Sequence, residues 1–173
     1  MTDISAHPPL VRGPHSGRYL AAFALPASDG RLVRLWDYRQ RRNLALFFHH
    51  GAGCPRCRAE LVRFARHYPA YRERDAEVLA IGPDEPAASA RLAAGLGLPF
   101  PLLCDRAGTA AERQGVDRPA VVVANRVEEI WAAWAPVDEL DLPSQEEILG
   151  WLEFVVIQCH NGCGPPETGD LER

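Results

Sequence analysis

Apolar residues occur along the chain in two arrangements, each typical of one kind of secondary structure. Short continuous apolar runs bounded by turn residues predict strands that are buried on both faces. Apolar residues at i, i+3, i+4 and i+7 predict amphipathic helices. The predicted strands are 44–48, 77–81, 101–104 and 119–124, and the predicted helices start at the cysteines near residue 54, at 86, at 107 and after Ser144.

Two pairs of runs are separated by turns too short for a helix. Residues 23–25 and 32–35 flank Ser28-Asp29-Gly30, and Asp-Gly is a strong turn signal, so this pair predicts a hairpin near the N-terminus. Residues 119–124 and 129–135 are joined around Asn125-Arg126 and predict a second antiparallel pair.

The order of the predicted elements is that of a thioredoxin-like α/β fold. We expect a central mixed β-sheet flanked by helices, with the first hairpin as an N-terminal extension. Residues 1–16 are polar, rich in Pro and Gly and predicted to be a flexible arm. Residues 17–158 are predicted to form the domain, and residues 159–173 a cysteine-containing tail.

Composition excludes several classes of function. The chain has 173 residues and a net charge of −4, without a basic stripe, so nucleic acid is not an expected partner. All 19 basic residues are arginine, which removes Schiff-base and phosphate-loop lysine chemistry. No signal-like or membrane-length apolar run is visible, so we expect a cytoplasmic protein with no membrane partner. Cysteines in a reducing compartment favour thiol chemistry over a disulfide framework.

The strongest chemical signal is Cys54-Pro55-Arg56-Cys57, placed between a buried strand and a helix. A helix N-terminus offers free N–H groups and partial positive charge, which stabilise a thiolate. Because the two cysteines are three residues apart, both sulfurs lie within one helical turn and can form and break a disulfide with little backbone motion. This pattern predicts a redox-active pair.

Several stretches resemble the redoxin branch of thioredoxin-like proteins, the alkyl hydroperoxide reductase and thiol-specific antioxidant (peroxiredoxin-like) family. They are the run LALFFHHGAGCPRCRAEL, residues 115–119 and the second hairpin. The resemblance implies a thiol-dependent oxidoreductase that reduces a hydroperoxide or a disulfide. Such an enzyme needs no cofactor, because a thiol reductant, either a protein or a small thiol, supplies the electrons. The resemblance also implies that the cysteines lie beside a cis-proline loop, and Pro119 matches that proline by position.

The family offers two assignments of the cysteines. Peroxiredoxins carry Thr-x-x-Cys, and by its distance from Phe48 the peroxidatic position is Cys57, with Cys54 in place of the threonine. Thioredoxins use the first cysteine of C-x-x-C as the nucleophile, which would be Cys54. Both assignments remain open at this point, as do the peroxide and disulfide substrates and the oligomeric state.

Arg118 and one of two adjacent histidines could support the site. Arg118 stands near the place where peroxiredoxins have an arginine that stabilises the thiolate. His49 and His50 are adjacent in an extended segment, so at most one of them can face the cysteines. Cys104 is expected to be a small buried residue and not a third redox partner.

Cys159 and Cys163 are candidates for accessory thiols. We expect a second redox couple there, with no metal in the protein, because a metal would hold both nucleophiles as ligands. The alternatives are idle tail thiols, a zinc-stabilised binding module that joins C-x-x-C to the terminal cysteines, and a redox-inactive scaffold.

Overall fold

The computed structural model describes the backbone of residues 18–135 and 141–160, and the side chains of all of these except 159 and 160. The strands within these ranges are β1 (Ala24–Pro26), β2 (Leu32–Arg34), β3 (Asn43–Phe48), β4 (Ala76–Gly82), β5 (Leu102–Cys104), β6 (Ala120–Ala124) and β7 (Ile130–Trp134). They form a two-stranded sheet, β1-β2, and a five-stranded sheet in the order β5-β4-β3-β6-β7. β3 pairs in parallel with β4, and β4 with β5, whereas β6 is antiparallel to both β3 and β7. This mixed sheet confirms the predicted thioredoxin-like α/β fold.

The strands lie close to their predicted positions. The N-terminal hairpin consists of β1 and β2, and a short 3₁₀ helix at Leu35–Tyr38 follows it. β3 is buried along its whole length, as its continuous apolar pattern predicted.

The described helices are α1 (Pro55–Glu73), α2 (Pro86–Leu96), α3 (Thr109–Gln114) and α4 (Gln145–His160). Pro69 is of a residue type that commonly ends or kinks a helix, but α1 continues past it to Glu73. The buried Tyr71 anchors that last turn, because its hydroxyl donates to Gln145 Oε1 at 2.8 Å. α4 reaches His160, so the backbone of Cys159 belongs to this helix.

Two apolar clusters cover the faces of the central sheet. Neighbouring residues of a strand point to opposite faces, so Phe47 and Phe48 belong to different clusters. Phe47 stacks on Phe64 of α1, whereas Phe48 packs with residues of the N-terminal hairpin such as Leu25. The sheet is therefore covered on both sides, and this fixes the helix that carries the cysteines.

A buried polar chain connects α1 to α4. Gln145 Nε2 donates to Glu60 Oε1 at 2.9 Å, and Arg63 forms an ion pair with the second oxygen of Glu60. Tyr71 completes the chain through Gln145 Oε1, and burial raises its pKa well above the usual value of a phenol. Buried polar groups whose partners are all in place favour one packing arrangement. These hydrogen bonds therefore fix α1 against α4, starting one helical turn after Cys57.

No helix in the described ranges is both long and apolar enough to cross a bilayer.

Candidate active site

The two cysteines lie where β3 ends and α1 begins. Cys54 is the N-cap residue of α1, and Pro55 occupies the first turn, where its missing N–H is not needed. Cys54 Sγ accepts a hydrogen bond from the backbone N–H of Cys57 at 3.3 Å. Cys54 is partly exposed, and Cys57 is 2% exposed. Both are free thiols, so the structure is that of the reduced pair.

His50 is the histidine that faces the cysteines. Its backbone N–H donates to Cys57 Sγ at 3.3 Å, and its Nδ1 lies 3.6 Å from the same sulfur. A ring nitrogen of His50 and the sulfurs of Cys54 and Cys57 all lie within 4.8 Å of one another. This arrangement confirms that only one of the adjacent histidines meets the pair, and it places a backbone N–H and an imidazole nitrogen beside the Cys57 sulfur.

His49 points away from the cysteines into the protein and is 1% exposed. Its ring lies against Gly82, where a Cβ atom would come within 2.2 Å of the ring carbon Cε1. Its Nδ1 accepts the N–H of Gly51 at 3.0 Å, so the neutral ring carries its proton on Nε2. Burial lowers the pKa of His49 to about 4, with the charges of Arg118 and His50 acting in the same direction.

The neutral His49 predicts a loss of stability in acid. The unfolded residue takes up a proton near pH 6.5 and the folded one only near pH 4, so its contribution is complete above pH 6.5 and decreases as the pH falls. The decrease amounts to about 3 kcal/mol by pH 4. Urea unfolding at several pH values should therefore show a flatter dependence for His49→Asn, which keeps an acceptor for Gly51. Equal slopes for variant and wild type would contradict the neutral assignment.

Arg118 is held by Asp105, which follows β5. Arg118 Nη2 donates to Asp105 Oδ2 at 3.1 Å, and the acid is 1% exposed. Asp105 also accepts the N–H groups of Ala110 and Ala111 in the first turn of α3. The predicted supporting arginine therefore lies at the same edge of the sheet as the cysteines. Its guanidinium forms an ion pair with Asp105, and its charge contributes to the lowered pKa of His49.

Pro119 precedes β6, and the Arg118–Pro119 peptide bond is cis, as the resemblance implied. Because β3 and β6 are antiparallel neighbours and Phe48 pairs with Ala120, this loop meets the end of β3. Pro119 and Cys57 line one cavity of about 360 Å³, together with Arg56, Ala59, Glu60, Arg63 and Leu142. Cys57 therefore borders an open cavity beside the Pro119 loop.

Sequence reasoning did not single out three acids that shape the site. Asp84 Oδ2 accepts the N–H of Ala52 at 2.7 Å and so holds the loop before the cysteines. Asp105 places Arg118, and Glu60 connects α1 to α4. The sequence could have indicated Asp84 and Asp105, because both come shortly after predicted strands. The carboxyl ends of parallel strands meet at one edge of the sheet, where the site lies.

The remaining cysteines fall outside this cluster or outside the described part of the chain. Cys104 is buried, as expected, and its thiol donates to Ser89 Oγ at 3.4 Å. The backbone of Cys159 lies in α4, while its side chain and the whole of Cys163 lie outside the described residues. The accessory couple therefore stays a prediction.

A thioredoxin fold with a dithiol at the N-terminus of α1 and a cis-proline beside it defines the class of thioredoxin-like thiol proteins. Within that class the chain belongs to the AhpC/TSA family, whose profile matches residues 17–131.

Relatives with known names share part of the chain. A provisionally named peroxiredoxin of Mycobacterium tuberculosis is 37% identical over 84 residues, which are 49% of this chain and 53% of that protein. Alkyl hydroperoxide reductase E of the same organism is 32% identical over 106 residues, 60% of this chain and 69% of that protein. The chain thus spans about half the length of the first of these relatives.

Solved structures share the fold. Peroxidoxin BcpB from Mycobacterium tuberculosis superposes with a TM-score of 0.73 at 24% identity, over 80% of this chain and 96% of that one. A yeast mitochondrial 1-Cys peroxiredoxin gives 0.74 at 15% identity, over 90% and 83% of the two chains. At these identities the likeness establishes the fold alone.

Proposed function

We propose that the protein is a thiol-dependent peroxidase in which Cys57 attacks a hydroperoxide and Cys54 resolves the product as a disulfide. The observation that carries the proposal is the position of Cys57 Sγ, between the N–H and Nδ1 of His50 and at the wall of the cavity beside Pro119. Membership of the AhpC/TSA family and the names of the relatives support it.

The first step oxidises Cys57. Its thiolate attacks one peroxide oxygen, the O–O bond breaks, and the products are a sulfenic acid on Cys57 and an alcohol once the leaving alkoxide takes a proton. The N–H of His50 and the first turn of α1 favour the thiolate. His50 Nδ1 is within reach to take the thiol proton and to return it to the alkoxide. Arg118 lies at the same edge of the sheet, where it is ion-paired with Asp105.

The second step closes the disulfide. The thiol of Cys54 attacks the sulfenic sulfur of Cys57, an S–S bond forms and water leaves. The two sulfurs are already within 4.8 Å of each other, so the bond forms without unwinding of α1. Two thiols of an external reductant, a small thiol or a protein, then restore the dithiol and become a disulfide themselves. We place this cycle in the cytoplasm, where such reductants are available.

Trapping the sulfenic acid tests this assignment. Each of Cys54→Ser and Cys57→Ser is treated with one equivalent of hydroperoxide in the presence of dimedone, and the adduct is mapped by mass spectrometry. We expect an adduct on Cys57 of Cys54→Ser and none on Cys54 of Cys57→Ser. Cys104→Ala serves as a matched control and should behave like wild type, because its thiol is buried against Ser89.

A second function has one observation in its favour, the partial exposure of Cys54 at the N-cap. Exposure there suits attack by Cys54 on a protein disulfide that docks on the Pro119 loop. An adduct on Cys54 alone, together with reduction of a protein disulfide faster than of peroxide, would replace the peroxidase assignment with this one.

A further inference from the structure

We propose that the reduced protein binds one zinc ion between a ring nitrogen of His50 and the sulfurs of Cys54 and Cys57, and that the bound ion stops the thiol cycle. The binding follows from the cluster itself. Only the inhibition rests on the proposed function, since it requires that these thiols be the reacting ones.

The spacing of the three ligand atoms fits tetrahedral zinc. Zinc–sulfur bonds of about 2.3 Å and zinc–nitrogen bonds of about 2.1 Å place neighbouring S and N atoms about 3.6 Å apart, and two sulfurs about 3.8 Å apart. His50 Nδ1 and Cys57 Sγ are separated by 3.6 Å. The whole set lies within 4.8 Å, so side-chain shifts of about 1 Å suffice to close the site around the ion.

The donor set selects the metal. Two thiolates and an imidazole are soft and borderline ligands that suit zinc. Among the residues that the structure describes, no carboxylate oxygen of the kind that magnesium or calcium requires belongs to the cluster. Two thiolates also neutralise the charge of the ion. The three ligands found in the described part of the chain leave a fourth position for water, as in sites that are not purely structural.

The surroundings favour reversible binding. His50 is exposed and Cys54 partly exposed, so an ion can enter from solvent, while Cys57 forms the buried wall of the site. The positive end of α1 and the nearby Arg56 oppose a cation. The affinity should therefore be lower than that of a closed four-thiolate site, low enough for a chelator to remove the ion.

Binding and redox state exclude each other. Coordination converts both thiols to metal-bound thiolates with release of protons, and it withholds the electron pairs that would attack a peroxide. Oxidation joins the same two sulfurs and removes two of the three ligands. The dithiol form binds zinc, and the disulfide form does not.

Titration of the metal-free, reduced full chain with Zn²⁺ against a chromogenic chelator tests the site. We expect one ion per chain, and with Co²⁺ as probe a thiolate-to-cobalt charge-transfer band. His50→Ala should weaken binding by at least about tenfold, and Cys54→Ser or Cys57→Ser by about a hundredfold. His67→Ala is the matched control, because His67 is an exposed histidine of α1 whose ring contacts the Arg63 carbonyl. It should bind like wild type.

Further arms separate this site from its alternatives. The double variant Cys159→Ser/Cys163→Ser should keep full affinity, and its loss of zinc would show a four-thiolate site instead. Unchanged affinity in His50→Ala, or equal binding by the disulfide form, would overturn the proposal.

Peroxide-driven disulfide formation should slow in proportion to bound Zn²⁺ and recover with chelator. Zinc binding by a protein without peroxidase activity would refute the proposed function and leave the site in place.

Discussion

Cys57→Ser should lower peroxide-dependent consumption of a thiol reductant by about 10³-fold or more. A serine hydroxyl at this place remains protonated at neutral pH and is a far weaker nucleophile than a thiolate. The hydrogen bond from His50 N–H cannot compensate, because it stabilises a charge that the hydroxyl does not carry. Steady-state turnover with hydroperoxide in excess, and protein below the reductant concentration, measures the effect.

Cys54→Ser separates the two chemical steps. Its first turnover should keep the wild-type rate, seen as loss of one equivalent of peroxide per chain, while later turnovers slow because no intramolecular thiol resolves the sulfenic acid. Cys104→Ala should match wild type in both phases. A burst that survives in Cys57→Ser and vanishes in Cys54→Ser would reverse the roles of the two cysteines.

Local sequence pattern was sufficient to place Cys54 and Cys57 in the fold. The buried run up to Phe48, the glycine loop and the helical spacing after Cys57 are all short-range signals, and they put both thiols at the start of α1. Neighbouring side chains of an extended chain point to opposite sides, so only one of His49 and His50 could face the cysteines, but this alternation does not say which of the two does. That choice depends on the space that Gly82 leaves for the His49 ring, and Gly82 lies on the neighbouring strand.

Long-range partners could not be predicted from spacing. Asp105 and Arg118 are 13 residues apart and meet only because β5 and the loop before β6 end at one edge of the sheet. Glu60 and Gln145 are 85 residues apart and meet because α4 packs against α1. The continuation of α1 through Pro69 has the same cause, since Tyr71 is anchored by a residue of α4 and tertiary contacts override a local helix breaker.

The contact between His49 and Gly82 predicts the largest effect on folding. In Gly82→Ala the added Cβ would clash with three ring atoms of His49, and the ring is buried, so it can shift only by disturbing its neighbours. We expect the free energy of unfolding to fall by about 3 kcal/mol, measured by urea denaturation. Gly150→Ala is the matched control, since nothing lies within 4 Å of its Cβ position and α4 should gain about 0.5–1 kcal/mol from alanine.

A double-mutant cycle identifies the cause of that loss. His49→Ala removes the ring that the new methyl group would strike, so His49→Ala/Gly82→Ala should be more stable than the sum of the single changes predicts, by about 2 kcal/mol. The same clash should also disturb the reactive pair, because a displaced His49 releases the N–H of Gly51 in the loop before Cys54. Additive losses in the cycle would show that Gly82 is needed for another reason, and the packing of His49 on β4 would then not be what orients His50 toward Cys57.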